Sequence, residues 1–163
     1  MNLLHAPLPI LNPLDAATSR ALLATARALR CSEGCDSLLR GKHIALICEA
    51  GAPGSDLFVD AATRLGARVS RIEPAQLWLD GQPCDDAVRL LAHLYDAVDC
   101  EAQPARFARR LQTMLSLPVY DGLGCDDHAI FSLLAARTPI DAPDAEADAR
   151  RLLVQAALVN SLL

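Results

Sequence analysis

The sequence predicts an α/β domain of three layers, with a four-stranded parallel sheet flanked by helices and a C-terminal helix packing back on it. Three observations carry that expectation. Short strand-like apolar runs at 43–49, 68–73, 97–100 and 117–121 alternate with longer segments whose apolar residues recur at helical spacing. The first run is apolar at Ile44, Leu46 and Ile47, with Ala45 between, as in strands covered on both faces. Strands separated by helices imply right-handed crossovers and therefore parallel pairing.

The elements follow in order. Leu14, Leu22, Leu23, Ala26 and Leu29 share one face of a helix over 14–30, with Arg20, Arg27 and Arg30 elsewhere. A loop with Gly34 leads to the first strand. Ala50 to Ser55 is a Gly/Pro loop, and Ser55 or Asp56 is placed to cap a helix carrying Leu57, Phe58, Ala61, Ala62 and Leu65. Gly66 ends it. After the second strand, a connection over 74–83 holds the single tryptophan, Trp78. A helix over 84–95 turns Val88, Leu91 and Leu94 inward. Pro104 takes a favoured first-turn position in the next helix, which spaces Phe107, Leu111 and Met114 on one face. Gly122-Leu123-Gly124 turns into a helix over 126–137, and a linker precedes the last helix. The whole reads as one domain, with a core at 38–137, a linker at 138–145 and a returning helix at 146–163.

Composition narrows the function. The chain has 163 residues, 52% of them hydrophobic and 4% aromatic, so the core is built from aliphatic side chains. A formal net charge of −5 without a basic stripe argues against nucleic acid and against an anionic membrane surface. The N-terminus has no basic region, and Pro7 and Pro9 break its apolar run, so no secretory signal is read there. No stretch is long enough to span a bilayer. A cytoplasmic location is expected, with the six cysteines reduced. Cys48 and Cys100 read as small buried hydrophobes. Cys31 and Cys35 lack the second ligand pair that a zinc site needs.

Open α/β sheets bind ligands beyond the carboxyl ends of their strands. That rule selects 49–56, 74–83, 101–104 and 121–131. Glu49, Asp56 and Glu101 are candidates for an acidic pocket that takes an amine or a divalent metal. Set against this, acids at loop ends are usually solvated. Asp121 is either a turn residue or an acid for a cationic ligand. His128 is either a carbonyl donor or a helix-start residue bonding backbone. Gly51 and Gly54 are too sparse for a phosphate loop, and Cys125 with His128 does not make a catalytic pair on spacing alone.

Several collinear runs resemble one enzyme family. Leu39-Arg40-Gly41-Lys42-His43-Ile44-Ala45-Leu46-Ile47-Cys48-Glu49 is similar to a first strand of the form L-x-G-K-x-x-A-x-I-F-E. Phe58-Val59-Asp60-Ala61-Ala62 with Leu65-Gly66-Ala67 is similar to F-E-x-A-A followed by L-G-G. Gly81-Gln82 with Asp86-Ala87-Val88-Arg89-Leu90-Leu91, then Tyr95-Asp96-Ala97-Val98, then Leu117-Pro118-Val119-Tyr120-Asp121-Gly122-Leu123, continue the pattern. Together, across 39–134, they resemble the carbamoyl-phosphate-binding domain of the aspartate/ornithine carbamoyltransferases, ornithine-type branch. Residues 149–163 resemble that family's returning C-terminal helix. The resemblance implies a homotrimer, or a partner such as a full-length carbamoyltransferase, and no cofactor or metal. The family's amino-acid-binding domain has no counterpart between the two matched parts.

The same resemblance shows what has changed. The family places a Ser-Thr-Arg-Thr-Arg loop at the start of the helix after the first strand. Here Ala50-Gly51-Ala52-Pro53-Gly54-Ser55-Asp56 stands there, without either arginine. Glu101 stands where the family has an arginine. The family's His-Pro-x-Gln becomes His128-Ala129-Ile130-Phe131. A charge-assisted hydrogen bond contributes about 1.5–3 kcal/mol. Three missing arginines therefore remove roughly 4–9 kcal/mol, or about three to six powers of ten in affinity for a dianion. The expectation is a degenerate, non-catalytic relative that acts by oligomerising or binding a partner. The alternative is a carbamoyltransferase-type subunit that binds carbamoyl phosphate or an amino-acid-like ligand with residues borrowed from another subunit.

Overall fold

The computed structural model describes residues 14–32, 34–79, 82–135 and 143–163. The linker expected at 138–145 lies largely outside these. The elements run α1 (Ala16–Cys31), β1 (His43–Ile47), α2 (Ser55–Arg64), β2 (Arg68–Ile72), a short hairpin of β3 (Trp78–Leu79) and β4 (Gln82–Pro83), α3 (Asp85–Leu94), β5 (Ala97–Cys100), α4 (Ala105–Met114), β6 (Val119–Tyr120), α5 (Ser132–Ala135) and α6 (Pro143–Leu162). The main sheet has the order β2-β1-β5-β6, and every pair in it is parallel.

Alternation along the strands divides the core into two. Ile44, Leu46, Cys48, Ala97 and Tyr120 point to the face covered by α2 and α6, with α1 packed beyond. Ala45, Ile47, Val98, Cys100 and Val119 point to the face covered by α3 and α4. Both faces are buried, which is why β1 reads as an unbroken apolar run.

The C-terminal helix is fully integrated. Leu153, Val154, Ala156, Ala157 and Leu158 are buried, and Gln155 donates to the Ala61 carbonyl of α2 at 3.2 Å. Thr25 donates to Asn160 at 2.7 Å, tying α1 to α6, and the Tyr120 hydroxyl is hydrogen-bonded to Ser161. A buried polar atom without a partner costs about 1–3 kcal/mol, so these bonds fix the helix's register as well as its position.

Three expectations require correction. Leu94, at the last turn of α3, does not turn inward with Val88 and Leu91 but is 54% exposed. Neither Ser55 nor Asp56 caps α2: the cap position belongs to Gly54, at φ +84°, and Ser55 is already the first helical residue, nearly buried. Glycine is favoured there because the backbone is left-handed. The helix expected over 126–137 is broken into a 3₁₀ turn, Ala129–Phe131, and a single α-turn, Ser132–Ala135. Ile130 and Phe131 must both enter the core beside α6, and the tighter turn lets them do so.

Candidate functional site

Strand order reverses between β1 and β5, since α2 leads outward from β1 to β2 while α4 leads the other way from β5 to β6. The ligand crevice of such a sheet lies at that reversal, outside the carboxyl ends. Three segments surround it here: 48–54 after β1, 101–103 after β5 and 121–128 after β6.

The crevice is filled from within. Glu101 is fully buried, and its backbone amide donates to Ile47 O at 3.0 Å, continuing the sheet pairing. Its side chain turns inward, and the Cys125 thiol donates to its Oε1 at 2.8 Å. The chain then bends so sharply that Ala102 takes φ +55°. Gly54 and Gly124 meet backbone to backbone across the crevice, and a Cβ on either would fall well inside van der Waals contact with the other. A Cβ on Gly54 would also collide with Glu101 Oε1. Segments 51–54 and 122–125 therefore close on each other with the Glu101 carboxylate between them.

A second acid lies beneath. Asp99 is fully buried on the same face of β5, and its Oδ1 accepts from the amides of Gly122 at 3.0 Å and Leu123 at 3.1 Å. Among the described residues, Asp99 Oδ2 and Glu101 Oε2 have no hydrogen-bond partner. Burial, and then the charge of Glu101, push the Asp99 carboxyl up to about 7. Burial likewise raises Glu101, against the hydrogen bonds from Cys125 and Gly124. Burial and the Glu101 bond push Cys125 up to about 12, so it is a thiol and not a thiolate nucleophile.

The other candidate residues occupy different settings. His128 accepts the Ile130 amide on Nδ1 at 3.3 Å, and burial brings it down to about 4. It is a neutral imidazole with its proton on Nε2, and it caps the 3₁₀ turn. Asp121 lies half-buried at the end of β6; burial raises its carboxyl, with Arg109 acting in opposition. Glu49 lines an open hollow of about 340 Å³ with Cys48, Ser55, Arg71, Glu73 and Gln76. Asp56 points to solvent and accepts from Arg71 at 2.7 Å. An exposed pair of this kind contributes about 0–1 kcal/mol.

Phe131, standing where the family motif has glutamine, has a packing role. The Arg150 guanidinium of α6 lies 3.9 Å from its ring centroid and also donates to Asp126 Oδ1 at 2.5 Å. Arg150 thus fastens the segment after β6 to the C-terminal helix. Arg150→Ala is expected to cost about 1–2 kcal/mol, the size of one partly desolvated cation–π contact with an exposed ion pair. Urea unfolding measures it, and Arg150→Lys should recover less than half, because an ammonium neither stacks nor forks like guanidinium.

Against solved structures, the chain superposes on ornithine carbamoyltransferase from Pyrococcus furiosus with a TM-score of 0.55 at 22% identity, covering 65% of this chain and 36% of that one. A putative aspartate carbamoyltransferase from Leishmania major Friedlin gives a TM-score of 0.57 at 19% identity, covering 75% and 40%. Aspartate transcarbamoylase from Trypanosoma cruzi in complex with phosphate gives 0.57 at 21%, again covering 75% and 40%. The chain has part of a carbamoyltransferase fold. No family model and no curated protein sequence matches it. This carbamoyltransferase-like chain spans about two-fifths of the length of the structures it resembles.

Sequence reading did not single out Asp99, Arg71 or Arg150 at the site, nor the bond that Cys125 makes. Asp99 had a signal: an acid inside an otherwise apolar four-residue strand is rarely there without a partner. Arg71 had none, because an arginine on an edge strand is ordinary.

Proposed function

We propose that this chain is a non-catalytic carbamoyltransferase-like module that works through protein contacts, with copies of itself or with a partner protein. The observation that carries this reading is Glu101, a buried carboxylate wedged between segments 51–54 and 122–125 at the strand-order reversal. A phosphate dianion would have to displace an acid there, with Asp126 and Asp127 adding to the negative field. Among the described residues no arginine is paired with Glu101 or Asp99; Arg71 and Arg109 act at the rim, on Cys48 and Asp121. The folded body is otherwise sound, with two closed cores and a docked C-terminal helix, so what is lost concerns the ligand and not the scaffold.

Two measurements on the purified chain test this. Incubation with carbamoyl phosphate and either ornithine or aspartate should give no carbamoylated amino acid above the uncatalysed rate. Light scattering at micromolar concentration should give an assembly, with a trimer as the expected stoichiometry; a monomer that captures no defined partner would contradict the proposal. No helix among the described residues is long and apolar enough to cross a membrane, in keeping with contacts made by the protein surface.

A second reading has one observation in its favour. The hollow beside Ser55 and Arg71 remains open next to the plugged crevice, and Arg71 is held there by a solvent-exposed partner that contributes little. Under that reading the chain is a subunit that binds carbamoyl phosphate or an amino-acid-like ligand with help from a neighbouring chain. Activity that appears only on mixing with a full-length carbamoyltransferase, and is lost with Arg71→Ala, would favour it.

A further inference from the structure

We propose that the outer face of α3 and α4 pairs with the same face of a second copy, across a two-fold axis that lays α3 of each copy along α4 of the other. The two faces of the sheet are covered unequally. Over one, α1 packs beyond α2 and α6. Over the other lies the single layer of α3 and α4, side by side, with Val88, Leu91, Phe107, Ala108 and Leu111 turned to the core. Among the described residues five large hydrophobics are exposed, and three of them, Leu90, Leu94 and Met114, belong to this layer. Single exposed apolar residues are ordinary, whereas a group of them on adjacent helices marks an interaction surface.

The charge pattern points to what covers this face. Both helices have 10 residues, and they run the same way, because each leads back to the start of a strand in a parallel sheet. Each carries exposed residues at the same four-residue spacing: Asp86, Leu90 and Leu94 on α3, and Arg106, Arg110 and Met114 on α4. The first turn of α3 holds two acids, Asp85 and Asp86, and that of α4 holds none. Laid parallel, the two stripes complement each other. Asp86 of one copy meets Arg106 of the other, and Leu94 meets Met114. Between them Leu90 meets Arg110, whose methylene stem can cover it while the guanidinium stays in water. A two-fold axis along the helices makes the match twice, as a self-complementary interface requires. The charges are free to take part. Asp86 has one ion pair among the described residues, with Arg89 at 4.0 Å, and both groups are exposed, so the pair contributes little. Arg106 and Arg110 have no ion pair among the described residues. Such a two-fold contact is independent of any threefold one, and it can join single chains or trimers.

Sedimentation equilibrium of the purified chain and its charge-reversed variants tests the pairing. Asp86→Arg and Arg106→Asp each set like charges at both matched positions. Each alone is expected to weaken the two-fold association at least about tenfold, as like charges brought together at an interface do. Mixed one to one, the two variants again set opposite charges at both positions, and the association should return. Leu90→Gln with Leu94→Gln should weaken it in the mixture as well as alone. All four side chains are exposed, so the variants should keep the circular dichroism and melting temperature of the unaltered chain. The inference rests on reading the chain as a module of protein contacts, yet it can fail alone. An assembly whose mass neither reversal changes overturns the α3–α4 pairing and leaves that reading standing, and so does a monomer that captures a different protein. Loss of association in both variants without recovery in their mixture overturns the pairing too.

Discussion

Gly54→Ala is expected to lower the melting temperature by about 6–12 °C, corresponding to roughly 3 kcal/mol in a chain of this size. Two costs add. Alanine at φ +84° has a left-handed backbone, a penalty of about 1–2 kcal/mol. Its methyl group must also enter space held by the Gly124 carbonyl and Glu101 Oε1, and forced overpacking costs about 1–3 kcal/mol. Gly51 supplies the control, because it too has a positive φ, +75°, but nothing lies within 4 Å of its would-be Cβ. Gly51→Ala should therefore cost about 1–2 kcal/mol, the backbone share alone. The difference between the two variants measures the closed crevice. If both cost the same, segments 51–54 and 122–125 do not meet in solution, and the plug is absent.

The second large effect is on the pH dependence of stability. The Asp99 carboxyl moves from 3.8 to about 7 on folding. Below about pH 4 both folded and unfolded chains hold this proton, and Asp99 imposes no charge penalty. Between 4 and 7 the unfolded chain has lost the proton while the folded chain keeps it, so stability falls as pH rises. Above 7 the loss is complete, and at ~1.4 kcal/mol per pH unit it is on the order of 4 kcal/mol. Asp99→Asn removes that term and adds a constant cost for an unpaired amide. Urea denaturation at pH 5 and pH 8 should show Asp99→Asn gaining on the unaltered chain by several kcal/mol between the two. An unchanged difference would mean that Asp99 is paired or solvated after all.

The fold was legible in the sequence for simple physical reasons. Burial of both sheet faces forces apolar runs, and crossover helices force a 3.6-residue period, so β1, β2, β5, α2, α3 and α4 were placed within about two residues, the usual disagreement at element ends. Some motif residues that carried the family resemblance prove to be structural. Asp96 accepts the His43 amide at 2.8 Å and pairs with Lys42 at 3.3 Å, fastening β5 to the start of β1 at the end of the sheet away from the crevice. Such bonds hold the sheet together whatever the ligand edge does.

The site was legible only in its losses. Missing arginines can be read from a string, but the group that fills their place cannot, because filling depends on which way a side chain turns. Glu101 was foreseen as an acid at the ligand edge; that it turns inward to Cys125 follows from the bend at Ala102 and the contact of two glycines seventy residues apart in the chain. The broken helix over 126–137 was hidden for a related reason. Its apolar residues fit a helical period, yet Phe131 and Ile130 answer to α6 and Arg150, which lie in the last twenty-one residues.

If, as proposed, an internal carboxylate has taken the anion's place, isothermal titration of the purified chain with carbamoyl phosphate will register it. No saturable heat is expected below about 1 mM ligand, the scale of a weak contact near −4 kcal/mol. A dissociation constant tighter than about 100 μM, abolished by competing inorganic phosphate, would contradict it.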